Sequence, residues 1–185
     1  MTLLTLFSDA SFDQHSGAAG WGAWAIKSGW PLGKTMGGEF RRKMPGPTYA
    51  ELCAIVNALD KLDRDGALDN VTELMVQCDC VPALNTIKNT SGFRSIISNY
   101  EDSSIWTRTG DTKHGLIVEA REELRRLCTS RVVYLRHVKA HAPGTDQGNV
   151  NELCDRIARE HMSAARARTP ERKSWLERNG YKENS

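Results

Sequence analysis

Apolar positions cluster at the start of the chain, where Leu3, Leu4, Leu6 and Phe7 form a run interrupted only by Thr5 and ended by Ser8-Asp9-Ala10-Ser11. Such a run predicts a buried strand that delivers Asp9 to the edge of a sheet. A Gly-containing turn follows, and residues 21–27 then alternate around Trp21, Ala23, Ala25 and Ile26, which predicts a second strand. Residues 33–41 predict a third, with Gly37-Gly38 marking a bulge or a close approach. Short connections between the three imply an antiparallel meander. The period then changes: Leu52, Ile55, Val56, Leu59 and Leu62 line one face of a helix from about Thr48 to about Arg64. That helix is long enough to cross a sheet, so the apolar strand predicted for residues 71–78 should lie parallel to the first.

Residues 82–88 predict a short helix, and the weak pattern around residues 93–100 predicts short helical pieces. Residues 101–113 predict an exposed excursion whose large apolar residue is Trp106. Helix returns where Ile117, Ala120, Leu124 and Leu127 share a face, and a strand is predicted for residues 131–138. Pro143, Gly144 and Gly148 mark a loop before a last helix carrying Leu153, Cys154, Ile157, Ala158 and Met162. Strands first, then helix and strand in alternation, predict an α/β domain with a sheet of mixed direction over residues 1–165. Residues 166–185 carry six basic and three acidic groups with few apolar ones, the composition of a flexible tail.

Composition adds limits rather than a function. A chain of 185 residues with net charge +2 can bury a full core and is too nearly neutral to announce a nucleic-acid binder. Arg121, Arg125, Arg126, Arg131, Arg136 and Lys139 fall in one span, diluted by Glu122 and Glu123, which predicts a solvated helix face. The five cysteines are odd in number and contain no Cys-x-x-Cys pair, so reduced thiols are expected rather than a disulfide framework or a zinc cage. No basic amino-terminal segment leads into a long apolar one, and no run is long enough to cross a bilayer. The expectation is a cytoplasmic monomer without a membrane partner.

Four acids stand at the predicted ends of elements: Asp9, Glu51, Asp79 and Asp155. Each has an ordinary alternative. Asp9 can start a turn; Glu51 can close a capping box with Thr48; Asp79 can simply end a strand. Asp155 can face solvent on a helix capped by Asn149 with Glu152 as the cap's partner. Held together on rigid elements, the four could instead bind hard divalent cations. His141, on the loop before the last helix, is placed as a mobile proton carrier would be.

The order of these segments is more specific than any one of them. Phe7-Ser8-Asp9-Ala10-Ser11, Tyr49-Ala50-Glu51-Leu52, Val76-Gln77-Cys78-Asp79 and His137-Val138-Lys139-Ala140-His141, followed by Asn151-Glu152-Leu153-Cys154-Asp155, resemble the motifs of type 1 ribonuclease H. The resemblance spans most of residues 1–165, and Gly20-Trp21-Gly22-Ala23 is similar to the family's second strand. It implies a five-stranded mixed sheet, three antiparallel strands and then parallel ones, with helices on both faces. It also implies endonucleolytic cleavage of the RNA strand of RNA–DNA hybrids by two-metal-ion catalysis.

Under that resemblance Asp9, Glu51, Asp79 and Asp155 hold two Mg2+ ions, with Mn2+ as a substitute, and His141 assists proton transfer or product departure. Thr48 lies where the family binds sugar or phosphate, and Trp106 with Arg108 and Lys113 is similar to a reduced form of its basic substrate handle. The chain departs from the family in Pro45-Gly46-Pro47, in the acids Glu101, Asp102 and Asp111 around the handle, and in the loop from Pro143 to Gly148. Two other classes stand beside the hybrid nuclease: a catalytically silent hybrid-binding module and a DNA nuclease on the same fold.

Overall fold

The structure is a computed structural model that describes residues 1–90, 92–100, 115–139 and 145–168. Trp106, Arg108, Lys113, His141 and the tail beyond Arg168 lie outside the described residues.

Three strands open the chain as an antiparallel meander: β1 (Leu3–Phe12), β2 (Ala19–Lys27) and β3 (Lys34–Glu39). Helix α1 (Pro47–Arg64) then crosses to β4 (Glu73–Cys78), which lies parallel to β1 with Phe7 opposite Gln77. Next come α2 (Val81–Lys88), β5 (Ser95–Ser98), α3 (Gly115–Cys128), β6 (Val132–His137) and α4 (Asp146–Ala167). The strand order is β3-β2-β1-β4-β6-β5.

Among the described residues the sheet thus has six strands where the sequence predicts five. Residues 95–98 are a strand, not helical pieces, because the Ser-Ile-Ile-Ser stretch lies parallel against β6, with Ser95 opposite Val132 and Ser98 opposite Leu135. β-Branched Ile96 and Ile97 suit that pleated edge, and four residues carry too short a pattern to be separated from a helical turn by periodicity.

Alternation along β1 divides the core into two layers. Leu4 and Leu6 point to one face, where they are buried with Leu52, Ile55 and Leu59 of α1, Ala83 and Leu84 of α2, and Ile117 and Leu124 of α3. Phe7 points to the other, packed with Val138 and Cys154 and edge-on to Trp24. Arg126 of the basic span bridges Asp60 and Asp63 of α1 and Glu123 of its own helix, so this part of the span ties helix to helix on the surface.

Helix α4 lies unusually close to the sheet, and glycine makes that possible. A Cβ on Gly22 would stand 2.2 Å from the Cys154 carbonyl oxygen, and one on Gly20 2.3 Å from the Met162 nitrogen. At Gly37 a Cβ would meet Ile157 Cγ2 at 2.4 Å, so the Gly37-Gly38 pair serves a close approach. Gly22 is also the cross-strand partner of Asp9. The contact therefore sets the carbonyl of Cys154, one residue before Asp155, beside the strand that carries Asp9.

Helix boundaries differ from expectation at two caps. α1 begins at Pro47 with Gly46 as N-cap and no side-chain cap; proline suits the first helical turn, where its missing N–H costs nothing. α4 is capped by Thr145, whose side chain accepts from the Gly148 amide at 3.0 Å, and Asn149 lies inside the helix. No helix among the described residues is long and apolar enough to cross a membrane.

Candidate active site

Three of the four acids converge where β1 and β4 end and α1 begins. Asp9 is 7% exposed near the end of β1, Glu51 lies in the second turn of α1, and Asp79 follows the last residue of β4. The Ala10 amide donates to Asp9 Oδ1 at 2.8 Å and to Glu51 Oε1 at 3.3 Å, so one backbone group gathers two carboxyls. Glu51 is therefore not half of a capping box. With Gly46 as N-cap, Thr48 sits inside the first turn, where it bonds to the Cys80 thiol.

Beneath the acids, Cys78 Sγ donates to Glu51 Oε2 at 3.7 Å and accepts from the Cys80 amide at 3.3 Å. Donor atoms of Glu51, Cys78 and Asp79 all lie within 4.8 Å of one another. The thiol is fully buried, and burial followed by the charge of Glu51 pushes its pKa well up. It is thus a protonated donor to the carboxylate rather than a thiolate ligand. His137 contributes from β6: its Nε2 lies 3.1 Å from the Asp79 carbonyl oxygen, pinning the turn that carries Asp79.

Electrostatics mark the cluster as crowded. Burial first, and then the charge of Asp79, raise Asp9 from 3.8 to about 6, against the opposing pull of the Glu51 hydrogen bond, the Ala10 amide and Arg159. Glu51 is raised well above the carboxylate range by burial, by Asp9 and Asp79, and by donating its proton to Asp9. Crowding of the two carboxyls thus favours proton uptake, which a bound cation would oppose.

Because the folded pKa of Asp9 lies above its unfolded value, its proton favours the folded state below about pH 4, and that contribution is lost as pH rises through 6. A rise from 3.8 to about 6 corresponds to roughly 3 kcal/mol. In chelator, the Tm of Asp9→Asn minus that of wild type should therefore grow between pH 4 and pH 7. A difference that stays constant with pH would refute the crowding.

Asp155 reaches the same end of the sheet on α4, but its carboxylate is taken by Arg159, whose Nε donates to Oδ1 at 2.8 Å while Nη2 pairs with Oδ2. The charge of Arg159 is also felt at Asp9, and that of Asp9 at the Cys154 thiol. Beside this pair an open groove of about 620 Å3 runs along α4, lined by Glu152, Asp155, Arg156, Arg159, Glu160 and Ser163. Sequence reasoning missed Arg159, although Asp-x-x-x-Arg spacing on a helix signals the pair. It also missed the bonds of Cys78 and His137, which no local pattern announces.

The RNase H family model matches residues 1–163. Among solved structures, the chain resembles the N-terminal RNase H domain of a Mycobacterium tuberculosis protein, solved as a fusion with maltose binding protein, at 16% identity and TM-score 0.61, covering 90% of this chain and 98% of that one. RNase H1 from the halophilic archaeon Halobacterium salinarum is similar at 15% identity and TM-score 0.59, covering 88% and 99%. LC11-RNase H1, solved with an RNA/DNA hybrid, is similar at 13% identity and TM-score 0.56, covering 88% and 98%. No curated protein matches the chain in sequence.

Proposed function

Because the chain belongs to the RNase H family, and so to the nuclease hydrolases, we propose that it is an endonuclease that hydrolyses the RNA strand of RNA–DNA hybrids with two bound Mg2+ ions. The observation that carries this reading is the convergence of Asp9, Glu51 and Asp79 at one sheet end, where one amide bonds both Asp9 and Glu51 and the oxygens of Glu51 and Asp79 lie within 4.8 Å.

The donor set fits a hard cation. Asp9, Glu51, Asp79 and Asp155 offer carboxylate oxygens, which suit Mg2+ and also Mn2+, and the neighbouring thiol stays protonated. Ions held there supply Lewis-acid activation of water and charge neutralisation at the leaving sugar oxygen. The chain's own groups do the rest. The Ala10 amide fixes the directions of Asp9 and Glu51, His137 steadies the turn of Asp79, and the close packing of α4 sets the position of Asp155.

His141, outside the described residues, is assigned proton transfer or product departure. Thr48 lies three residues before Glu51 on the same helix and thus on the same side, where it is assigned a sugar or phosphate contact; Trp106, Arg108 and Lys113 are assigned to the DNA strand. Discrimination for RNA is assigned to 2′-hydroxyl contacts in the minor groove of the hybrid. The hybrid as partner is supported by the similar fold of LC11-RNase H1, which was solved with one.

The test is cleavage of a hybrid labelled on each strand in turn, with Mg2+ and with chelator, beside duplex DNA and single strands. Fragments from the RNA strand alone, only with Mg2+, are expected. A hybrid bound intact in both conditions would point to a silent binding module, and cleavage of duplex DNA to a DNA nuclease.

A further inference from the structure

Arg159 is held on Asp155 by two bonds from one guanidinium, using both carboxylate oxygens. The acid is 22% exposed at its side chain and the arginine 60%, so the carboxylate is fixed near the protein surface while the cation reaches it from the groove. That arrangement places a cation on both oxygens a metal would use, so the guanidinium and a dication compete for the same carboxylate. We infer that Arg159 is a positioning residue: an internal cation that holds Asp155 with both oxygens while no metal is bound, and that a metal must displace from at least one of them. The inference rests on the assignment of Asp155 as a metal ligand.

The groups around the pair support competition rather than a rigid strut. Arg159 lies one turn beyond Asp155, and Glu152, Arg156 and Glu160 share its groove. Once displaced, its guanidinium has the open groove and solvent before it and remains near the acid cluster, where its charge is felt at Asp9 and opposes a dication. A like charge several ångströms from a dication, in surroundings between water and protein interior, costs on the order of 1 kcal/mol, or roughly three- to tenfold in affinity. Arg159 would thereby keep four acids from repelling one another when ion-free and keep metal binding weak enough to be reversible.

Calorimetric titration of Mn2+ into ion-free wild type, Arg159→Gln and Arg159→Lys tests this without any substrate. Arg159→Gln should bind Mn2+ about three- to tenfold more tightly and Arg159→Lys close to wild type, whereas a residue that merely braced the helix would leave affinity unchanged or lower it. Equal or weaker binding by Arg159→Gln, or no binding by either protein, overturns the inference. Tighter binding by Arg159→Gln in a protein that cuts no hybrid would uphold it while refuting the proposed substrate.

Discussion

Asp9→Asn should lower hybrid cleavage on the order of a thousandfold or more while the protein folds as well as wild type or better in ion-free buffer. The two halves have one cause. An amide of the same shape keeps an oxygen to accept from Ala10 but gives up the negative charge that a dication requires. Loss of about 4 kcal/mol of transition-state stabilisation is a thousandfold in rate, within what metal-ion catalysis contributes. In the ion-free protein the same charge is a burden, because burial and Asp79 raise Asp9 to about 6 and Glu51 is raised with it. Parallel measurement of kcat and of Tm in chelator at pH 7.5 decides the matter. Retained turnover, or a marked fall in ion-free Tm, would mean that Asp9 serves the fold instead.

The second large effect comes from a residue that carries no charge. Gly22→Ala places a methyl group 2.2 Å from the Cys154 carbonyl and 2.9 Å from the Ala158 nitrogen, both backbone atoms that no rotamer change can move aside. Overpacking of a core usually costs about 1–3 kcal/mol, and strand against helix backbone puts this case at the upper end. A chain of this size should lose roughly 6–12 °C in Tm. Asp155 rides on the displaced helix, so the surviving fold should need more Mg2+ for half-maximal cleavage. Gly115→Ala is the control, since a Cβ there meets nothing within 4 Å and alanine favours a helix. Equal Tm values for the two variants would show that α4 does not depend on the glycine contact.

The legible parts of the fold were those with long periods. Ten residues of β1, the alternation of β2 and the seven buried positions of α1 state their structure locally. β5 does not, because four residues at a sheet edge take their conformation from the neighbour they pair with, and Val132 to Leu135 supply that. Caps failed for a related reason. Thr48 and Asn149 are good capping types, but the helices begin earlier, at Pro47 after Gly46 and at Asp146 after Thr145, and a capping type alone does not say which of several candidates is used.

In the candidate site, the acids were visible from their order along the chain. What sequence could not give was the backbone contact that carries Asp155 toward Asp9, which depends on Gly20 and Gly22 meeting a helix more than 130 residues away. Nor could it give the environment that makes these acids unusual. The raised pKa values of Asp9 and Glu51 follow from burial and from the charges of neighbouring acids, against the pull of the one amide that serves both, and neither burial nor that proximity is a property of any local stretch.

Anomalous scattering from crystals grown with Mn2+ and a non-cleavable hybrid addresses the heart of the account. Two peaks are expected among Asp9, Glu51, Asp79 and Asp155, with the guanidinium of Arg159 withdrawn from at least one oxygen of Asp155. Manganese density elsewhere on the surface, with the four carboxylates bare, would contradict it.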